Sequence, residues 1–249
     1  MKKRSFIRVF ALLLCAMMLL TACSSGSSGG GGGSSKSSTS NTYETPLKLM
    51  MEIQNAKKVT DISTMYIPLL NGFAEKEVKA VFEARSKSEY FTDRMDDYTD
   101  MLQDNIDNYK DEYGSDYKYS YKIVEKEELE RTDRNEFRDQ IKSYAQNLKD
   151  LVDQTKDFDN SDWEDLAEEL DLSKSEAKSL VAALEDLYKV LNDVEVTEGY
   201  EITYTQTLKG SELDEPDVME DLTINVYKVN GRWISSDAIS AIYYIFLGI

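Results

Sequence analysis

Hydrophobic positions along the chain fall into three regimes: an unbroken apolar run near the start, a helical period through most of the body, and a two-residue alternation near the end. The helical period opens at Thr45-Pro46, read as an N-cap followed by Pro at the first helical position, with Leu47, Met50, Ile53 and Ala56 on one face. Residues 62–70 are apolar but interrupted by Pro68 and broken by Asn71-Gly72, and a helix is expected from about Phe73 to Ser86. Phe91, Met95, Tyr98, Leu102, Ile106, Tyr109 and Tyr113 recur every three or four residues, which predicts one buried stripe on a long helix ended by Gly114. Tyr117, Tyr119, Tyr121 and Ile123 alternate instead and predict a strand.

Three more helices are expected, each with a start signal in which a side chain caps the free N–H groups of the first turn. Asp133 and Glu136 precede Phe137, Ile141, Tyr144, Leu148 and Leu151; Ser161 and Glu164 accompany Trp163, Leu166 and Leu170; Ser173 and Glu176 precede Ala177, Leu180, Leu184, Leu187 and Leu191. The end of the chain alternates through Tyr200, Ile202, Tyr204 and Leu208, then through Leu222, Ile224 and Val226. Asn230-Gly231 joins the latter to Arg232-Trp233-Ile234, the strongest short hairpin signal available. Helices segregated from a meander give the expected fold class: α+β, helices packed on a curved antiparallel sheet of about four strands, with an inserted helical block at residues 133–194.

The first regime has a different meaning. Lys2, Lys3, Arg4 and Arg8 precede the apolar run from Val9 to Leu20, with no acid, which is the layout of a signal peptide over residues 1–22. The run is too short for a membrane-spanning helix, which needs roughly 20 apolar residues. It ends in Leu20-Thr21-Ala22-Cys23, which resembles the lipobox of bacterial lipoproteins at all four positions. The resemblance implies cleavage between Ala22 and Cys23, a diacylglyceryl group on the Cys23 thiol, and a location on the extracytoplasmic face of the cell membrane. Two acyl chains hold firmly, since each buried methylene contributes about 0.8 kcal/mol and one chain alone is marginal.

Ser24 to Ser35 are only Ser and Gly, and the polar style continues to Thr42, so residues 23–42 read as the lipidated Cys and a flexible tether. Its typical reach is roughly 25 Å at ~5–6 Å times the square root of its length. Residues 43–249, about 207 in number, are expected to form one α+β domain burying roughly 70% of their unfolded surface.

Charge narrows the partners. The chain carries 29 Lys+Arg against 47 Asp+Glu, and losing the four basic residues of the signal peptide takes its formal charge from −18 to −22. Nucleic acid is not an expected partner, because a phosphate backbone is bound by clustered Lys and Arg. With no His, catalysis by Ser-His-Asp or Cys-His and zinc held by imidazole are excluded. Of the two Cys, Cys15 is discarded with the signal peptide and Cys23 is blocked by lipid, so no disulfide forms. No cofactor is expected.

Residues 200–205, Leu222 to Val229 and Asn230-Gly231-Arg232-Trp233 resemble the ending of exported lipoproteins with a cystatin-like or nuclear-transport-factor-like fold. That resemblance implies a sheet and helix enclosing a cone-shaped pocket, used by different members for catalysis or binding. The helical block at residues 133–194 departs from the simple pattern.

Candidate chemistry is sparse. Tyr117, Tyr119, Tyr121, Tyr200, Tyr204 and Tyr227, with Trp233, lie on expected strands and offer an aromatic platform for a sugar or peptide, or else core packing. Asp157, Asp159, Ser161, Asp165 and Glu168 have the spacing of oxygen ligands in a calcium hand, although Asp162 stands where the sharp turn needs Gly. Residues 166–173 resemble the turn of a DNA-reading helix pair with Asp171 in place of Gly, and Ser175 to Lys178 match one element of penicillin-interacting enzymes without its companions. A carboxylate pair for glycan hydrolysis needs no His, but spacing cannot select two acids from 47. The uncharged segment from Ala238 to Ile249 is expected to pack into the sheet or to form a sticky patch. The function expected is a non-catalytic ligand- or partner-binding lipoprotein; the alternative is an extracytoplasmic hydrolase of cell-envelope glycan.

Overall fold

The computed structural model describes residues 41–243. Helix α1 (Thr45–Gln54) carries Pro46 in its first turn, and Thr45 is inside the helix, its hydroxyl accepting the Thr42 N–H at 3.0 Å. Helix α2 (Ile62–Tyr66) is capped by the Asp61 carboxylate and tightens into a 3₁₀ turn (Ile67–Leu70) at Pro68, where the missing N–H and fixed φ prevent the helix from continuing. Asn71 and Gly72 take left-handed φ values of 49° and 85° and redirect the chain. Helix α3 (Glu75–Arg85) and helix α4 (Glu89–Tyr113) follow. The 25 residues of α4 span about 38 Å. It ends at Gly114, whose φ of 94° a side chain would not tolerate.

Strand β1 (Lys118–Glu128) leads to helices α5 (Arg131–Gln154), α6 (Asn160–Glu169) and α7 (Lys174–Asn192). Strands β2 (Val196–Lys209), β3 (Asp217–Val229) and β4 (Arg232–Ser235) complete an antiparallel sheet in the order β1-β2-β3-β4. The last hairpin turns on Asn230 and Gly231, both at positive φ (46° and 78°), as a two-residue loop between twisted strands requires. Helix α8 (Ser236–Ile242) starts from the Ser235 hydroxyl cap. The described residues therefore form an α+β fold, eight α-helices packed with a four-stranded antiparallel sheet.

Both faces of the sheet are covered over part of their length. On one, Leu47 and Met51 of α1 pack with Tyr119, Ile202, Tyr204, Val226 and Trp233, and Tyr109 and Tyr113 of α4 close against them. On the other, Tyr227, Val229 and Ile234 meet a helical core built from α3, α4, α5, α7 and α8, including Phe91, Phe137, Ile141, Leu148, Leu180 and Leu187. Register explains the division, because Val226 and Tyr227 are adjacent and must point to opposite faces. Ile141 and Leu148 are fully buried about two helical turns apart, and truncating either to Ala would cost about 2–5 kcal/mol. Ala238, Ile239, Ala241, Ile242 and Tyr243 are also buried, and Tyr243 stacks on Tyr144 with centroids 4.1 Å apart. That part of the apolar terminus belongs to the core; residues 244–249 lie outside the described residues.

Two expected caps shift toward the N-terminus, by three residues for α5 and by two for α6. Helix α5 begins at Arg131, and Asp133 is its third residue, accepting the Glu130 N–H at 3.0 Å. Helix α6 is capped by Asp159, whose carboxylate accepts from the Ser161 and Asp162 N–H groups, with Asp162 returning a bond from the Asp159 N–H. Phe158 and Trp163 meet edge-to-face at 5.5 Å across that cap, clipping the entering chain to the first turn. The Ser173–Glu176 box is present as expected.

Candidate functional site

Helix α5 runs over the sheet face that carries Tyr227. One and a half turns in, Phe137 stacks on the Tyr227 ring, with centroids 4.0 Å apart and planes inclined by 18°. The cross-strand neighbour of Tyr227 is Gly199, and a Cβ there would sit 3.1 Å from the ring and 3.3 Å from Arg134. The missing side chain lets helix and ring approach. Two residues along each strand on the same face, Glu201 and Asn225 form the next cross-strand pair. Asp133, Glu136 and Gln140 lie on one side of α5 at helical spacing, and they look across at this pair.

Between them opens a cleft of about 430 Å³, whose lining also includes Leu129 and Ser236. Its lining contains three carboxylates, Asp133, Glu136 and Glu201, and no basic residue. Gln140 donates to the Tyr144 hydroxyl at 3.0 Å and Ser236 donates to Asp237 at 3.3 Å, so each has a donor already engaged. The Asn225 Oδ1 atom is buried without a hydrogen-bond partner. Burial, reinforced by Asp133, Glu136 and Glu201, raises the pKa of the Tyr227 hydroxyl and keeps it a neutral donor. The cleft is thus rich in acceptors and suits a ligand that brings N–H or O–H groups. Among the described residues no group of three or more acids is placed to hold a metal ion.

The aromatic platform expected from the sequence is not a single exposed surface. Tyr117, Tyr119, Tyr204 and Trp233 are buried in the core of one sheet face, and Tyr227 belongs to the other. Tyr117 and Tyr119 meet edge-to-face at 6.2 Å, both against Tyr109 of α4, and the Tyr117 hydroxyl donates to the Ala56 carbonyl at 2.9 Å. Tyr121 and Tyr200 are half-buried. Tyr200 stacks on Trp233 at 5.4 Å, and the Lys126 ammonium rests over Tyr200 and Tyr43 at 4.3 and 4.5 Å. Desolvation raises the Tyr119 pKa and pushes Tyr121 and Tyr204 up to about 12, the mark of structural phenols.

The calcium-hand reading of Asp157, Asp159, Ser161, Asp165 and Glu168 is also corrected. A calcium hand draws its ligands from an open loop of about 12 residues, but helix begins at Asn160 and the Asp159 carboxylate is engaged by two backbone N–H groups. Asp165 and Glu168 project from that helix. Cys23 and Ala22 lie outside the described residues.

Sequence spacing did not single out Asp133, Glu136, Glu201 and Asn225 as a group. The signal that was present is local: Asn225 is a polar residue between Ile224 and Val226 in a strand with both faces largely buried. Comparison with known proteins found no match, whether among family models, curated proteins or solved structures.

Proposed function

We propose that the chain is a lipoprotein anchored through Cys23 on the extracytoplasmic face of the cell membrane, and that its body is a non-catalytic binding module for a small ligand or an exported partner. The observation that carries the binding role is the cleft between α5 and the sheet, of a size suited to small molecules and lined by three carboxylates with no basic residue among its lining residues. Anchoring is supported by the lipobox and the Ser/Gly tether. The tether's end has a fixed point of departure, because Asn41 bonds the edge strand β4.

Fractionation of cells fed labelled fatty acid tests the anchoring. The wild type should carry label in the membrane fraction, and Cys23→Ser should carry none and appear as uncleaved precursor or released protein. An unlabelled wild type would remove the proposal.

One observation favours the hydrolase alternative: Glu136 and Glu201 reach the same cleft from different elements. That reading expects the wild type to release reducing ends from envelope glycan, with either Glu→Gln variant slowed about a hundredfold or more. Absence of turnover by the wild type eliminates it.

A further inference from the structure

The outer edge of β1 is closed along only part of its length. Lys57 and Asn55 bond the backbone of Tyr117 and Tyr119, and among the described residues no group does so further along the strand. The Tyr119 N–H and carbonyl both go to Asn55, away from β2, whereas the Leu129 N–H bonds the Gly199 carbonyl, towards β2. Counting by twos from each end, the backbone groups of Tyr121 and Ile123, and beyond the register shift those of Lys126 and Glu128, face outward. Such a row of unpaired donors and acceptors is a template for another strand.

The charges of β1 select a second copy of the same strand. Its first half carries Lys118 and Lys122 and its second half Glu125, Glu127 and Glu128, while the ammonium of Lys126 rests over the rings of Tyr43 and Tyr200. Antiparallel pairing of two copies lays the basic half of each against the acidic half of the other, and parallel pairing would set like against like. The bulge between Ile123 and Glu125 sharpens this match. It places Lys122 and Glu125 on one face, opposite Thr205 and Thr203 of β2, where an unbroken strand would put them on opposite faces. It also leaves Val124 58% exposed, one of the few large apolar side chains so exposed among the described residues.

We propose that β1 pairs antiparallel with β1 of a second copy of this chain, about a two-fold axis between Ile123 and Val124, joining the two sheets into one. In that register Lys122 lies opposite the partner's Glu125, Tyr121 opposite the partner's Lys126, and Ile123 beside the partner's Val124, each contact occurring twice. Tyr121 and Lys126 share a face, opposite Gln206 and Ile202 of β2, and both turn their backbone outward, as a hydrogen-bonded antiparallel pair requires. Lys122 and Glu125 turn theirs inward, the arrangement that brings opposed side chains closest. Two bodies this acidic repel at long range, but at about 150 mM salt the screening length is about 8 Å and contacting pairs persist. The pairing makes no use of the cleft.

Sedimentation equilibrium of the full chain in density-matched non-ionic detergent, at about 150 mM salt, tests this. The wild type should be a dimer that dissociates on dilution. Lys122→Glu opposes two acids at both contacts and Glu125→Lys opposes two bases, so each variant alone should dimerise at least roughly tenfold more weakly. An equimolar mixture of the two has opposite charges at both contacts and should recover to within about threefold of the wild type, as a heterodimer. Asp93→Lys, the same change of charge as Glu125→Lys but on an exposed position of α4, should also stay within about threefold. Unfolding midpoints establish that each variant is folded. A folded wild type that stays monomeric, leaving the edge to a strand of a different protein, would overturn the proposal. So would a dimer that both reversals leave unchanged, or reversals whose mixture does not recover.

Discussion

Asp171 occupies the turn between α6 and α7 with φ of 54°, a conformation that suits Gly and costs a residue with a Cβ about 1 kcal/mol. Its carboxylate accepts the Glu89 N–H at 2.8 Å and the Tyr90 N–H at 3.4 Å, at the start of α4, beside the Ser88 cap. A charged acceptor on free N–H groups at the positive end of a helix offsets the backbone strain and ties the α6–α7 turn to a distant element. Asp171→Ala keeps the strain and loses the acceptor, so it should destabilise by about 1–2 kcal/mol in urea unfolding, and Asp171→Gly by clearly less. Equal losses would show that the contact with α4 contributes nothing. Asn225 predicts the opposite sign. Replacing a residue whose buried Oδ1 has no partner, Asn225→Leu should raise stability by about 1 kcal/mol, a shift of a few degrees in a thermal melt. A lowered midpoint would mean that the amide is satisfied in the folded protein.

Among elements, the two sheet edges are managed by the same device. At β1, Asn55 accepts the Tyr119 N–H at 2.7 Å and donates to its carbonyl at 2.9 Å, so one side chain mimics a neighbouring strand. At β4, Asn41 accepts the Trp233 N–H at 3.0 Å and donates to Gly231, while Asn71 donates to the Trp233 carbonyl at 3.0 Å and to Asn41. The fold is therefore engaged from Asn41, two residues before the boundary expected at Tyr43. Asn41→Ala should speed hydrogen exchange at the Trp233 amide and increase proteolysis at the tether root, leaving the Tyr119 amide unchanged. Exchange that rises equally at both edges would indicate global destabilisation instead.

Most elements were legible in the sequence for a physical reason: a stripe such as Phe91, Met95, Tyr98 and Leu102 has a single period that only a helix satisfies. The starts of α5 and α6 were less so, because chains dense in Asp and Ser offer several competing caps, and propensity alone does not choose between Asp133 and Glu130, or between Ser161 and Asp159. The tyrosines misled because alternation identifies a strand without saying which face is covered, and Val226 and Tyr227 are both buried. The cleft was not legible at all. Its residues span positions 129 to 236, and only the packing of α5 onto β2 brings them together.

At the scale of the whole molecule, the composition sets the pH response. The chain has no His, so no side chain titrates near its ordinary value between about pH 5 and 8. The Glu176 carboxylate, which receives the Ser173 hydroxyl and N–H at the start of α7, has a pKa below the ordinary 4.5. Its stabilisation is present above that value and is lost as pH falls through the folded pKa. Buried phenols act in the reverse sense. Desolvation, with Asp237 adding to it, raises Tyr204 from 10.0 to about 12, so its contribution is complete below pH 10 and lost as pH rises towards 12. Stability measured by urea unfolding should be level from about pH 6 to 9 and fall on both sides, with tyrosinate absorbance appearing together with alkaline unfolding. A step in stability near pH 7 would contradict this.

The same scale holds the link between cleft and membrane. No helix among the described residues is long and apolar enough to cross a bilayer, and a lipid on Cys23 would supply the attachment. Mass spectrometry of the N-terminal peptide from the membrane fraction examines that link directly. The expected result is a chain beginning at Cys23 whose sulfur carries a diacylglyceryl group. A first residue elsewhere, or an unmodified cysteine at that position, would contradict the anchored assignment.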